Sequence, residues 1–314
     1  DIEKDLFSGV AQRKLQDTMQ RLGIGGVYVS GESGRTVWSV SQEQRNQIAQ
    51  QVCKTFLPKQ RLECEKMQIW LVNSLKGGGG KTSLALALAG ALATGLNQSL
   101  RIGVIDLDPQ GSTTDVMLPY LNVLQPDALS VGDLLMHQFE PLEFDEGETF
   151  EQCVRDSFLE VNIPNLSILP ARETDTAFDY ASKYHAQAGY HAADSLEPIL
   201  AAVQDDFDII LIDTPPVLNE AAFGAHYLAT SSIIPLRASQ NDRDSTAKYA
   251  RQLPELYRKM HERGHQGYDA IMLATTNVTE TSRSETQLVS DLTSLLGADM
   301  LPSFKTSEAV RACA

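Results

Sequence analysis

The stretch that decides the fold is NSLKGGGGKTSLALALAGAL, Asn73 to Leu92. A strand-like run, QIWLVNSL, leads into it, and a helix-like run, LALALAGAL, leaves it. Four glycines between two lysines, Lys76 and Lys81, stand at the junction. A flexible linker would need neither the strand, nor the helix, nor the GKT. A strand–loop–helix unit of this kind is the context of a phosphate-binding loop. Gly77, Gly78, Gly79 and Gly80 let backbone N–H groups converge on phosphate oxygens without a Cβ in the way. The helix N-terminus adds partial positive charge, and Ser83 belongs to its first turn. Lys81 is placed to reach the β- and γ-phosphates, and Thr82 to ligate Mg²⁺. The strict pattern G-x-x-x-x-G-K-[ST] requires a first glycine at position 75, where this chain has Leu75.

Outward from the loop, the chain alternates short apolar runs with longer helical stretches. MQIWLVNSL, LRIGVIDL, LSILPA, FDIILID, SIIPL and YDAIMLAT are near-continuous apolar strands. Such strands belong to a parallel sheet covered on both faces, so residues 67–314 are expected to form a doubly wound, mostly parallel α/β domain. VIDLDPQGSTT (Val104–Thr114) puts Asp106 and Asp108 at i and i+2 at a strand's C-terminal end, where such sheets bind ligands; Asp-Pro-Gln-Gly is also a good turn sequence. In DDFDIILIDTPPVLNEAA (Asp205–Ala222), four apolar residues lead to Asp213, the arrangement of a Mg²⁺-holding carboxylate. FEPLEFDEGETFEQ (Phe139–Gln152) is acidic and irregular and reads as a solvated loop. Leu84 to Leu96 reads as a buried helix.

Residues 1–66 follow another logic. In SGVAQRKLQDTMQRLGI (Ser8–Ile24), Val10, Leu15, Met19 and Leu22 fall on one helical face, with Ser8 as cap and Gly23 as stop. GVYVSGESGRTVWSVS (Gly26–Ser41) reads as a β-hairpin with a Gly/Ser turn. A helix followed by a hairpin is the second half of a winged helix-turn-helix. Gln12, Arg13, Lys14 and Gln16 would then be available to a DNA groove, and Arg35 at the hairpin tip to phosphate. A small packing unit with a polar outer face would give the same pattern. Residues 44–66 read as a connecting helix, with the domain boundary near Lys66.

The chain has 314 residues and a formal net charge of −15. Residues 1–66 hold ten Lys/Arg against eight Asp/Glu, so the acid is concentrated beyond them. An acidic body argues against a generic nucleic-acid binder held by bulk charge. No apolar run reaches the ~18–20 residues of a membrane span. The four cysteines, Cys53, Cys64, Cys153 and Cys313, lack metal spacing and read as reduced thiols of a cytoplasmic protein. Asp1 and the final SEAVRACA suggest that both ends continue.

KGGGGKT matches the deviant Walker A signature KGGxGK[TS], and here the chain resembles the ParA/MinD class of P-loop ATPases. The N-terminal helix and hairpin, together with PLRASQNDRDSTAKYARQLPELYRKM (Pro235–Met260), resemble its larger partition members. The resemblance implies that Lys76 reaches a partner's nucleotide across a homodimer, that Asp108 positions the attacking water, and that Asp106 lies near the Mg²⁺ shell. It makes Thr214-Pro215-Pro216 a second switch and Asn277, in ATTNVTE, a base contact. It further implies ATP and ADP as ligands and nonspecific binding of double-stranded DNA in the ATP state, on the nucleoid, as a dimer or a filament. Lys248, Arg251, Arg258, Lys259 and Arg263 are candidates for that DNA surface. A ParB-like centromere-binding protein would stimulate slow hydrolysis, and the ADP form could act as an autorepressor. A MinD-like membrane-positioning ATPase and a nucleotide-sensing repressor remain as alternatives.

Overall fold

A computed structural model describes residues 10–25, 27–30, 36–52, 65–74, 78–94, 100–186, 189–262 and 264–305. Strands β1 (Val27–Ser30) and β2 (Thr36–Ser39) form an antiparallel pair, with Val27 opposite Ser39. The remaining strands are β3 (Gln68–Val72), β4 (Ile102–Asp106), β5 (Leu159–Glu160), β6 (Leu166–Leu169), β7 (Ile209–Asp213), β8 (Ser231–Arg237), β9 (Ala270–Thr276) and β10 (Met300–Leu301). They make one sheet in the order β10-β9-β8-β3-β7-β4-β6-β5, parallel throughout except for β5 against β6.

The centre of the sheet is dry because the sequence makes it so. Every residue of β4 and β7 is buried, and IILID has no solvent face to offer. On one side, Leu71, Ile105, Ile210 and Ile212 meet Leu134, Val154, Phe178 and Leu196. These come from helices Val131–Met136, Phe150–Ser157, Thr176–His185 and Ala193–Ala202. On the other side, helix Lys81–Ala93 lays Leu84, Ala85, Ala89 and Ala93 on Val72, Val104 and Leu211. Its Ala- and Leu-rich sequence combines high helix propensity with small side chains that let it lie close to the sheet. The doubly wound architecture is thus as the strand pattern predicts, and all six expected strands are present.

Two expectations need correction. Leu22 is 38% exposed; the helix Gln12–Arg21 instead buries Thr18 and Met19, and Ile24 beyond it, against Ile48 and Val52. Gly23, at φ +67°, does end that helix. The acidic stretch 139–152 is not wholly solvated. Its acids face water, but Phe139, Leu142, Phe144 and Phe150 pack on the core, and His137 stacks on Phe150 and accepts a hydrogen bond from Leu142 N–H. Two short edge strands, β5 and β10, were not foreseen.

The N-terminal segment therefore runs helix, hairpin, helix (Gln42–Val52), with its own small apolar cluster. Arg45 Nη2 ties it to the end of helix Lys81–Ala93 by donating to Thr94 O at 3.2 Å. Ser8, Arg35 and the continuation of the connecting helix over 53–64 lie outside the described residues. Among the described residues, no helix is long and apolar enough to cross a membrane.

Candidate nucleotide site

The candidate residues gather at the C-terminal ends of β3, β7 and β4. Gly80 precedes the helix at φ +86°, and a Cβ placed on it would lie 2.9 Å from Thr276 Oγ1. Only glycine satisfies both the left-handed backbone and that close approach. Thr276 Oγ1 donates to Gly79 O at 2.9 Å, so β9 fixes the loop from one side. Gly80 provides no side-chain cap to the helix that starts at Lys81. The first turn, including Thr82 and Ser83, therefore keeps N–H groups for a ligand. Gly78 is exposed and Gly79 buried. Lys76 and Gly77 lie outside the described residues.

Lys81 is buried, and burial pushes its ammonium pKa down, opposed by the charges of Asp213 and Asp108. Thr82 Oγ1 donates to Asp213 Oδ2 at 2.9 Å, and Thr113 Oγ1 donates to the same oxygen at 2.7 Å. Asp213 Oδ1 is buried and has no hydrogen-bond partner among the described residues. Leaving a buried carboxylate oxygen unpaired is costly, on the order of 1–3 kcal/mol. Burial lifts the Asp213 carboxyl to about 6, against the pull of Thr113, Thr82 and Lys81.

Asp106 is the register partner of Asp213 across β4 and β7. Burial, then the neighbouring Asp213 charge, lifts it to about 7. Both of its oxygens accept hydrogen bonds from the described residues. Oδ1 accepts from Asp108 N–H at 3.2 Å, and Oδ2 accepts from Thr114 N–H at 2.9 Å and Thr114 Oγ1 at 2.8 Å. The two carboxylates are adjacent but not equivalent: Asp213 has an oxygen to offer a cation, while Asp106 organises the turn that follows it. Asp108 is half-buried in that turn, and its Oδ1 accepts from Gln110 N–H at 3.1 Å. No described residue donates to its Oδ2. Thr214 is buried and its hydroxyl donates to Val72 O at 3.1 Å, tying the end of β7 to β3.

Thr113, Thr114 and Thr276 were missed from sequence. The threonine pair stands in the GSTT that closes the second motif, but nothing in its spacing says which hydroxyl faces which carboxylate. Asn277 follows Thr276 at φ +53° and is exposed beside the loop.

The remaining candidates lie away from this cluster. Arg13 and Lys14 are exposed on helix Gln12–Arg21, as the groove-facing reading requires; the side chain of Gln12 lies outside the described residues. Lys248 and Arg251 belong to helix Gln240–Glu262, where Arg251 is exposed and the Lys248 side chain is outside the description. Arg258 pairs with Glu255 at 2.8 Å and with Glu262, and Lys259 approaches Glu255 at 3.7 Å. Part of that basic face is therefore matched by its own acids.

The AAA domain family model matches residues 67–263. The plasmid partition protein A of Escherichia coli is 29% identical over 219 residues, 66% of this chain and 52% of that protein. Three curated relatives are spanned over only 52–62% of their length. Among solved structures, a partition protein superposes with TM-score 0.70 and 20% identity, covering 95% of this chain and 82% of that one. A candidate plasmid partition protein from Borrelia burgdorferi, solved with AMPPNP, superposes with TM-score 0.58 and 20% identity over 78% of this chain and 90% of its own. At that identity the structural likeness is one of fold. The family match agrees with the geometry of the loop: the chain belongs to the AAA-domain family, and within it is similar to ParA-type partition proteins.

Proposed function

We propose that the chain binds ATP with Mg²⁺ at loop 76–83, hydrolyses it slowly, and uses the cycle to partition plasmid or chromosomal DNA. The observation that carries this reading is Asp213. It gathers the Thr82 and Thr113 hydroxyls on one oxygen, beside buried Lys81, and leaves the other without a partner. A hydroxyl and a carboxylate with an unused oxygen fit a hard divalent cation. Thr82 and Asp213 would hold Mg²⁺, which supplies charge neutralisation on the phosphates when bound.

The chain's own residues account for the rest. Loop N–H groups and Lys81 bind the phosphates, and Lys81 is selected for it by burial: a lysine held among carboxylates out of water gains more from an anion than an exposed one does. Asp108 Oδ2 orients the attacking water while Oδ1 is held by its own turn. Asp106 keeps that turn in place. Lys76 from a second subunit completes the site, so that hydrolysis waits on dimerisation, and a ParB-like partner accelerates it.

The same reading divides the chain near residue 66 and makes residues 1–66 a winged helix-turn-helix that contacts operator DNA through Gln12, Arg13, Lys14 and Arg35. The observed helix–hairpin–helix order and a partition-protein neighbour that aligns over 95% of the chain support it. Lys248, Arg251, Arg258, Lys259 and Arg263 supply a second, nonspecific DNA surface. The test is binding to a long random-sequence duplex at fixed salt with ATP, ADP or no nucleotide. Strong binding with ATP alone is expected. Equal binding in all three would leave a plain repressor, and attachment to lipid vesicles instead would leave a membrane-positioning ATPase.

A further inference from the structure

The strand next to the loop strand ends on an arginine that no motif accounts for. In β8, Ile233 packs with Val72, Leu84, Ala85 and Ala274, on the side of helix Lys81–Ala93. Ile234 packs with Leu253, Leu256 and Met260, on the side of helix Gln240–Glu262. By the two-residue period of a strand, Pro235 and Arg237 share the side of Ile233. On β9, Met272 and Ala274 face that same side, and so does Thr276.

Arg237 and Thr276 are register partners in the parallel β8–β9 pair. Their Cα atoms are therefore about one interstrand spacing, ~4.8 Å, apart. Thr276 is the residue that touches Gly79 and Gly80. Arg237 thus stands on the loop's face of the sheet, one side chain away from the loop, at its C-terminal rim. It is exposed, and no described acidic group pairs with it. An arginine with five donors and no acidic partner among the described residues, on a chain of net charge −15, is set for an anion that comes from outside.

The sheet order says which end of the anion it meets. Asp213 and Asp106 lie on β7 and β4, to one side of β3; Arg237 and Asn277 lie on β8 and after β9, to the other. The cation-binding flank takes the terminal phosphate. We propose that Arg237 binds the nucleoside-proximal phosphate of the nucleotide, an inference that rests on the nucleotide reading above.

The experiment titrates the full chain with ATP and with ADP, reading dissociation constants and not turnover. Arg237→Ala should weaken both nucleotides by the same factor, about tenfold, because both retain the contacted phosphate. Arg237→Lys should recover part of the loss. Lys183→Ala, which removes a charge from an exposed site on the opposite side of the sheet, should change neither. Unaltered affinity in Arg237→Ala would overturn the proposal. So would a loss for ATP that clearly exceeds the loss for ADP, since that places the contact at the terminal phosphate. A wild-type chain that binds neither nucleotide would instead remove the nucleotide reading itself.

Discussion

Two regions carry most of the charge that the sequence singles out, and they treat it in opposite ways. At the ends of β3, β7 and β4, Lys81, Asp106 and Asp213 are buried, and each pKa is displaced by that burial. On helix Gln240–Glu262, Arg258, Lys259, Glu255 and Glu262 are exposed and pair along the helix surface. Both sets combine carboxylates with basic side chains. Out of water, a charge is held by a few specific neighbours and is costly to misplace; in water, its neighbours are interchangeable and screened. Only the first arrangement can store preference for one particular ligand.

The contrast breaks most visibly at Lys81. Lys81→Ala should weaken ATP binding by about a hundredfold, measured by titration calorimetry. Unchanged affinity would show that the buried region is not the nucleotide site.

Next in size is a buried group away from the loop. His226 is buried, with Nδ1 2.9 Å from Tyr268 Oη, and burial, aided by His265, pushes its pKa from 6.5 down to about 4. The unfolded chain takes up this proton near pH 6.5 and the folded chain resists it. The stability contribution is thus complete above pH 6.5 and is lost as pH falls toward 4, by up to about 3 kcal/mol. Asp106 and Asp213, lifted to about 7 and about 6, act in the opposite sense over the same range, so the test is a difference: in urea unfolding the wild type should lose up to about 3 kcal/mol relative to His226→Gln between pH 6.5 and 4. Equal slopes would mean that His226 is protonated in the fold.

A finer test separates the two carboxylates. Asp213→Asn should abolish the Mg²⁺ dependence of nucleotide affinity. Asp106→Asn should keep that dependence and cost about 1–2 kcal/mol of stability, because an amide N–H₂ replaces an acceptor at Thr114 or Asp108. Loss of Mg²⁺ dependence in both would return Asp106 to the metal shell. The smallest effect belongs to the exposed helix. Arg258→Ala should leave the melting temperature unchanged while lowering the salt slope of ATP-dependent DNA binding by about one. An unchanged slope would take this residue out of the DNA interface.

What could be read in advance follows the same division. The six long strands were legible because a parallel strand covered on both sides must be apolar throughout, and β4 and β7 are. β5 and β10, two residues each, carry no pattern long enough to detect. That Asp213, Lys81 and Thr82 come together was legible because phosphate-loop chemistry fixes their spacing from the strand ends. The place of Asp106 near the metal shell came from the resemblance; that its oxygens accept from Thr114 and the Asp108 amide is a matter of side-chain direction that spacing does not encode. Phe139 and Phe150 were hidden among acids: composition averages over a segment, whereas burial is decided residue by residue.

The hydroxyl of Thr114 does two things at once. It donates to Asp106 Oδ2 and accepts from Ala171 N–H at 2.9 Å, just beyond the end of β6. One oxygen atom is therefore the rivet of a joint between two strands. Downstream of it, Val116, Tyr120, Val123 and Leu124 stand exposed on the same run of chain. A load applied to those side chains from outside is carried through the rivet to the carboxylate that shapes the Asp108 turn, and the stiffness of that joint limits how far the outer surface and that inner turn can move apart.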